Sequence, residues 1–441
     1  MSAHELPDDP HAHDAGCDEY NHLSRRRFVL GAGAAVAAAT FPSWLPRVVL
    51  AQSQVSARDV IVSVFLRGGA DGLSLCVPFF EGNNYYGARP TLAIPAPDGL
   101  AANKLTALDD RFGLPPAMMA LMPAFRANQL LITHATGVTV SNRSHFDMQR
   151  FIEVGKANDP TLITGWLGRH LASVPPVRTA APLRALGLSA GLQQTLYGAP
   201  RALPIADPTN FGIAGSATTR DARTEWLVGD YALTIDPLRS AALDVSNTLK
   251  LLRTVDFANY RPANSAAYPN SAFGRALRST AALIKADVGL EAVQVDIGGW
   301  DTHQNQAPNT TTGSMYRTMA DFSGAIAAFW ADVMQANTTH NVTLVAVSEF
   351  GRNVRENGSA GTDHGRAGAM FVLGKKIAGG RVLTVNWPGL AREQLESQQD
   401  LRVTLDHRDV LAEIVAKRLG NANVATVFPD YTPTFRGVVA A

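Results

Sequence analysis

Asp59-Val60-Ile61-Val62-Ser63-Val64-Phe65-Leu66, running straight into Arg67-Gly68-Gly69-Ala70-Asp71-Gly72, decides the fold class. A short apolar, β-branched run that stops at a glycine-rich turn reads as a strand. Working outward, Leu130-Leu131-Ile132-Thr133-His134-Ala135 is a second such run, entering a loop and then a helix predicted from about His145 to Val154. Ala292 to Ile297 is a third and ends in Gly298-Gly299-Trp300-Asp301-Thr302-His303. A long amphipathic helix follows, with Met315, Met319, Phe322, Ile326 and Phe329 on one stripe. Val342-Thr343-Leu344-Val345-Ala346-Val347 is a fourth strand, ending in Ser348-Glu349-Phe350-Gly351-Arg352, and Met370 to Leu373 is a fifth. Strands alternating with helical patterns predict an α/β fold on a largely parallel sheet.

Between about residues 197 and 275 that alternation breaks down into Pro/Gly/Asn/Ala-rich turns around one or two helices, predicting an insertion or cap within one domain over 52–441. Residues 1–51 read differently. Ser24-Arg25-Arg26-Arg27-Phe28-Val29-Leu30 has the form Ser-Arg-Arg-x-Phe-apolar-apolar, and an uncharged Ala/Gly-rich stretch runs on to Phe41. That stretch is too short for a membrane span and fits the apolar core of a signal peptide. Val49-Leu50-Ala51 supplies a small residue for cleavage, so export by the twin-arginine translocase is expected, with the mature chain beginning near Gln52. A retained N-terminal anchor is the alternative. The expected location is periplasmic or extracellular.

The leader holds four basic and six acidic residues, leaving 35 basic and 32 acidic in the remaining chain of about 390 residues. So even a balance gives no electrostatic ground for a nucleic-acid partner. No later segment is apolar for the roughly 20 residues that a bilayer requires. Cys17 leaves with the leader, so Cys76 has no partner for an intrachain disulfide.

The polar residues gather at one place in the pattern. Asp71, Asp301, His303 and Glu349 all follow the carboxyl ends of expected strands, and Gly361-Thr362-Asp363-His364-Gly365 comes one loop after Glu349. In open parallel sheets, ligands bind at that edge. Carboxylates with neutral imidazoles suit Zn, Mn, Mg or Ca. Each piece alone has a bland alternative. Asp71 before Gly72 can be a turn former, Asp301-Thr302-His303 a helix cap, Glu349 with Arg352 a surface pair, and Asp363-His364 a loop contact.

Together with Arg143-Ser144-His145-Phe146 and the closing Asp406-His407-Arg408-Asp409-Val410-Leu411, these stretches resemble an exported bacterial family. It is catalogued as domain of unknown function 1501, within the alkaline phosphatase/sulfatase superfamily. The resemblance covers nearly the whole chain after the leader. It implies an alkaline-phosphatase-like three-layer sandwich and a metal centre, of one or two divalent ions, that binds a phosphate or sulfate ester. It further implies that Asp71 bridges the metal centre, that Asp301 and His303 share one metal, and that His364 is the late histidine of that site. Glu349 stands where the superfamily commonly has Asp-His, a departure that costs the second metal a histidine. Asp363 is a spare acid. Ser144 stands where the superfamily places its nucleophile, with Arg143 beside it to clamp the transferred group, and with His145 and Thr139 as fallbacks. Ser144 three residues before Asp147 also makes a near capping box.

Two other motifs compete. Cys76-Val77-Pro78 begins like a sulfatase Cys-x-Pro-x-Arg motif, but Phe80 stands where the arginine belongs, and Cys76 reads as core. Gly187-Leu188-Ser189-Ala190-Gly191 matches a nucleophile elbow, with Ser189 and His364 or His407 as an α/β-hydrolase pair. That elbow needs a helix directly after it, and only Leu192 to Tyr197 precede Gly198-Ala199-Pro200. The leading expectation is a metal-dependent hydrolase of phosphate or sulfate esters. The alternative is a non-catalytic exported metal-containing protein that binds a surface or polysaccharide partner.

Overall fold

The computed structural model describes residues 58–212, 215–336 and 340–440, so the expected leader over 1–51 lies outside the described residues. Among the described residues, nine strands form one mixed, largely parallel sheet. They are β1 Val60–Leu66, β2 Leu130–Gly137, β3 Ala185–Gly187, β4 Ala202–Pro204, β5 Ala292–Ile297, β6 Val342–Ser348, β7 Gly368–Leu373, β8 Arg381–Leu383 and β9 Leu405–Asp406. Their order is β8-β2-β7-β6-β1-β5-β3-β4, with β9 also pairing β2. Only β7 runs against its neighbours, β2 and β6.

Register explains where the loops meet. Leu66 at the end of β1 lies level with Ile297 of β5 and Ser348 of β6. The loops beginning at Arg67, Gly298 and Glu349 therefore leave the sheet side by side. Because β7 is antiparallel, its amino end at Gly368 comes to the same edge and brings the segment before it, with Asp363 and His364.

Every residue of β1 is buried, and its side chains alternate between two apolar layers. Val60, Val62, Val64 and Leu66 join one layer with helices α3 (Ala272–Lys285) and α4 (Ser314–Phe329) through Leu277, Ile284, Met319 and Phe322. Ile61 and Phe65 join the other with α1 (His145–Val154), α2 (Trp166–Ser173) and α5 (His407–Lys417) through Phe151, Leu167 and Leu411. This two-sided cover is why the strand reads as an unbroken apolar run. Each fully buried side chain of this size contributes about 1.5–3 kcal/mol.

Contacts divide the chain into two units. One contains Ile213–Arg239, whose described part holds the turn Ala217–Thr219 and the helix Arg220–Ala232. The other, Ser53–Gly212 with Ser240–Ala441, carries the whole sheet. The elbow-like Gly187–Gly191 segment does follow strand β3, but after it comes only the 3-10 turn Gln194–Leu196, not the helix such an elbow needs. Cys76 is fully buried, and burial pushes its thiol well above the ordinary value. Among the described residues, no helix is long and apolar enough to cross a membrane.

Candidate metal centre

The site is built at the level sheet edge. Ser144 caps α1, its Oγ accepting the Asp147 N–H at 3.4 Å, so His145 falls in the helix's first turn. Gly68 sits at φ +119°, and a Cβ there would stand 2.7 Å from the Asp301 nitrogen. Gly361 similarly leaves no room, with a Cβ 2.2 Å from the His303 carbonyl carbon. Both glycines let one strand-end loop lie directly against another.

Three side chains, His145, Asp301 and His364, bring ligand atoms within 4.8 Å of one another, and His303 lies beside them. His364 Nε2 lies 3.0 Å from His145 Nε2 and 2.9 Å from His303 Nε2. Asp301 Oδ1 lies 3.1 Å from His303 Nε2, 3.3 Å from His364 Nε2 and 3.6 Å from His145 Nε2. A tetrahedral ion with bonds of 2.0–2.1 Å has edges of about 3.3 Å between its ligand atoms. The spacings among His145, Asp301 and His364, 3.0, 3.3 and 3.6 Å, bracket that value.

The other ring nitrogens fix what those Nε2 atoms are. His145 Nδ1 is 2.8 Å from Glu349 Oε1, His303 Nδ1 is 3.1 Å from Asp363 Oδ1, and His364 Nδ1 is 3.0 Å from the Arg143 carbonyl. All three partners are acceptors, so each Nδ1 carries a hydrogen and donates it. In a neutral imidazole the opposite nitrogen then holds only a lone pair. Imidazole lone pairs gathered this closely around Asp301 Oδ1 favour a cation among them, beside the Arg352 guanidinium that already pairs with that oxygen. Imidazoles oriented by carboxylates or carbonyls in this manner are the usual surroundings of a metal ion. The donor set fits a divalent ion, with Zn first for nitrogen-rich ligation.

Charge follows the same plan. Glu349 is fully buried, and burial alone would raise its pKa. Hydrogen bonds from His145, Gln149 and the Gly68 amide outweigh that and hold it below the ordinary glutamate value. The bond to Glu349 is also the main reason that the His145 pKa is raised. His364 is shifted down, first by burial. For Asp301, burial acts upward, and the Arg352 guanidinium at 2.6 Å more than reverses it, leaving the carboxyl below its usual value. Asp363 is lowered chiefly by hydrogen bonds from Asn357 and His303. Asp301 and His303 keep side chains 48% and 42% exposed, so the cluster opens to solvent on their side.

The residues singled out in the sequence fall into three groups. Asp301 and His364 converge with His145, which had been expected as a fallback nucleophile, and His303 stands beside that group, 2.9 Å from His364. Glu349 and Asp363 each stand one hydrogen bond behind a histidine. Asp71 is not brought to the cluster. Its carboxylate is fully buried and bound by Arg89 at 2.5 and 3.0 Å, by Ser74 at 2.6 Å and by Gln306 at 2.7 Å. The Arg143 guanidinium turns to Asp400, and only its carbonyl meets the cluster. Thr139 is exposed and supplies a carbonyl to Arg366.

Glu349 and Arg352 do not form a surface pair; both are buried. Arg352 donates instead to the carbonyls of Gly68, Gly69, Trp300 and Thr362 and to Asp301. That role and the Arg89 ion pair are absent from the sequence reading. Arg352 stood in a quoted motif at a strand end, whereas Arg89 lies in a segment with no periodic signal.

Among solved structures, one match is the C-terminal periplasmic domain of EcEptC from Escherichia coli, in complex with Zn. The likeness has a TM-score of 0.34 at 11% identity, over 87% of this chain and 90% of that one. At that level it says nothing about the fold or chemistry of this chain. No curated protein matches the chain. Residues 58–421, most of the chain and all of the converging side chains, match the family described as "Protein of unknown function (DUF1501)", and the chain belongs to that family.

Proposed function

We propose that the protein is an exported metal-dependent hydrolase of phosphate or sulfate esters, on an alkaline-phosphatase-like sandwich with residues 197–275 as an insertion or cap. One observation carries it: His145, Asp301 and His364 bring ligand atoms within 4.8 Å of one another, with His303 beside them, at a place where Asp301 and His303 stay about half exposed. His145, Asp301 and His364 would hold the ion, with His303 beside them. When bound, it supplies Lewis-acid polarisation of an ester oxygen and activation of a nucleophile.

The chain's own groups supply the rest. Ser144 stands beside His145 and offers a hydroxyl as the attacking group. The first-turn amides of α1 have no intrahelical acceptor and favour an anion at that helix end. Arg352 and Glu349 hold Asp301 and His145 in place. Export through the twin-arginine translocase rests on the leader, and Arg25→Lys with Arg26→Lys should leave the protein in the cytoplasm.

A second reading is a non-catalytic exported metal-containing protein that binds a surface or polysaccharide partner. It is favoured if His303 joins His145, Asp301 and His364 on the ion, since four protein ligands make a closed structural site. Metal content by mass spectrometry, together with hydrolysis of aryl phosphate mono- and diesters and aryl sulfate, separates the two. Bound metal with turnover, both lost in Asp301→Ala/His364→Ala, supports the hydrolase. Bound metal without turnover of any ester favours the structural reading. Normal metal content in the double variant removes the site assignment.

A further inference from the structure

A cavity of about 650 Å3 adjoins the cluster. The two share Asp363, which lines the cavity and accepts the Nδ1 hydrogen of His303. Arg355, Arg392, Asn83, Gln398 and Gln399 also line it. Among the described residues, the side chains of these five make no hydrogen bond or ion pair, and both arginines are exposed. Glu356 is in the lining too, but its carboxylate is already taken by the Thr91 hydroxyl and by the amides of Thr91 and Leu92. The wall therefore offers two unpaired guanidiniums and a set of free side-chain amides, beside two carboxylates, Glu356 and Asp363, whose oxygens are occupied by other donors.

That chemistry selects a ligand. Unpaired guanidiniums bind sulfate or phosphate groups through paired N–H donors. Asn and Gln amides each present both donors and an acceptor, which matches runs of hydroxyl groups. No aromatic side chain lines the cavity to stack a nucleobase, and its few apolar members do not make a lipid slot. The wall at Gln398 is also strained. Ser397 and Gln398 hold φ of 51° and 57°, a left-handed conformation that costs non-glycine residues on the order of 1–3 kcal/mol and gathers at functional sites.

We propose that this cavity is a subsite for an anionic, polyhydroxylated chain, a sulfated or phosphorylated oligosaccharide. Arg355 and Arg392 hold one charged substituent there, while a neighbouring ester reaches the cluster beyond His303. This rests on the hydrolase reading for the second half of the statement; the binding half stands independently.

Calorimetric titration tests it on the full protein, using a sulfated galactan tetrasaccharide, a phosphorylated maltotetraose, unsubstituted maltotetraose, and inorganic sulfate and phosphate. At least one charged oligosaccharide should bind ten times or more tightly than maltotetraose and than either free ion. Which of the two binds names the substituent. Arg355→Gln/Arg392→Gln should lose tenfold or more of that affinity with metal content and thermal midpoint kept, since neither side chain has a partner whose loss would unfold the chain. No binding by either charged oligosaccharide, binding no tighter than the free ions, or unchanged affinity in the double variant would overturn the proposal. Metal content and aryl-ester turnover of the unmodified protein report on the hydrolase reading separately. If these fail while arginine-dependent binding persists, the subsite stands and the hydrolase falls; the reverse outcome removes the subsite alone.

Discussion

His145 Nδ1 donates to Glu349 Oε1 at 2.8 Å, and that bond aims the far side of the ring at His364 Nε2, 3.0 Å away. Glu349 therefore acts on the cluster without entering it. Its Oε1 also receives the Gly68 amide and Gln149, so its position is set by three donors. Glu349→Gln keeps an oxygen for these donors but removes the charge that makes the imidazole a better ligand. Outer partners of this kind are worth 10- to 100-fold in metal affinity. We expect Glu349→Gln to weaken Zn binding by about that factor in competition with a chelator, and His145→Ala to abolish it. Equal affinity in the glutamine variant would mean that Glu349 only fills space.

Arg352 is a structural hub. One fully buried guanidinium satisfies four carbonyls and Asp301, tying together the loops after β1 and β5 and the segment before β7. Removing one partner from such a buried set costs about 3–5 kcal/mol, because the remaining groups stay dry and unpaired. Arg352→Met should lose about that much in chemical denaturation. Arg352→Lys should not rescue it, since a point charge cannot reach acceptors spread around a planar fork. A loss below about 1 kcal/mol for the methionine variant would refute the hub.

Asp71 and Arg89 form an ion pair with both side chains fully buried. Burial acts to raise the Asp71 pKa, but Arg89, Ser74 and Gln306 together hold it below the ordinary aspartate value. A depressed carboxyl stabilises the fold fully above its unfolded pKa, about 3.9, and loses that contribution as pH falls through the lower, folded value. The wild type should therefore weaken on acidification below about pH 4, and Asp71→Asn should show a flatter profile there. At neutral pH the variant should cost about 3–5 kcal/mol. Its metal content should not change, because the carboxylate points at Arg89. A folded Asp71→Asn protein that lacked metal would return Asp71 to the ligand set that the family resemblance implies.

The long strands were legible because runs such as Val60–Leu66 and Val342–Ser348 are apolar on both faces. The three-residue strand Arg381–Leu383 carries no period to detect, and nothing local reveals that Gly368–Leu373 runs backwards. The cluster was legible as a place, since strand ends in a parallel sheet share an edge. Which atoms face the centre was not. That depends on partners far along the chain: Arg89 turns Asp71 away, and Glu349, some 200 positions on, aims His145 inward.

Ser144 holds two roles that one substitution can separate. Its hydroxyl oxygen caps α1, and loss of such a cap costs about 1 kcal/mol. As the attacking group of the proposed hydrolase it would also be needed for turnover. Ser144→Ala removes both functions, whereas Ser144→Asp keeps a good cap and removes the hydroxyl. We expect the alanine variant to be less stable by about 1 kcal/mol and the aspartate variant to match the wild type, with metal content unchanged in both. Turnover of an aryl ester should fall by a factor of a hundred or more in both variants. If turnover survives in Ser144→Ala once the protein is kept well below its unfolding temperature, water is the nucleophile. The serine then serves only to place His145 in the first turn of its helix.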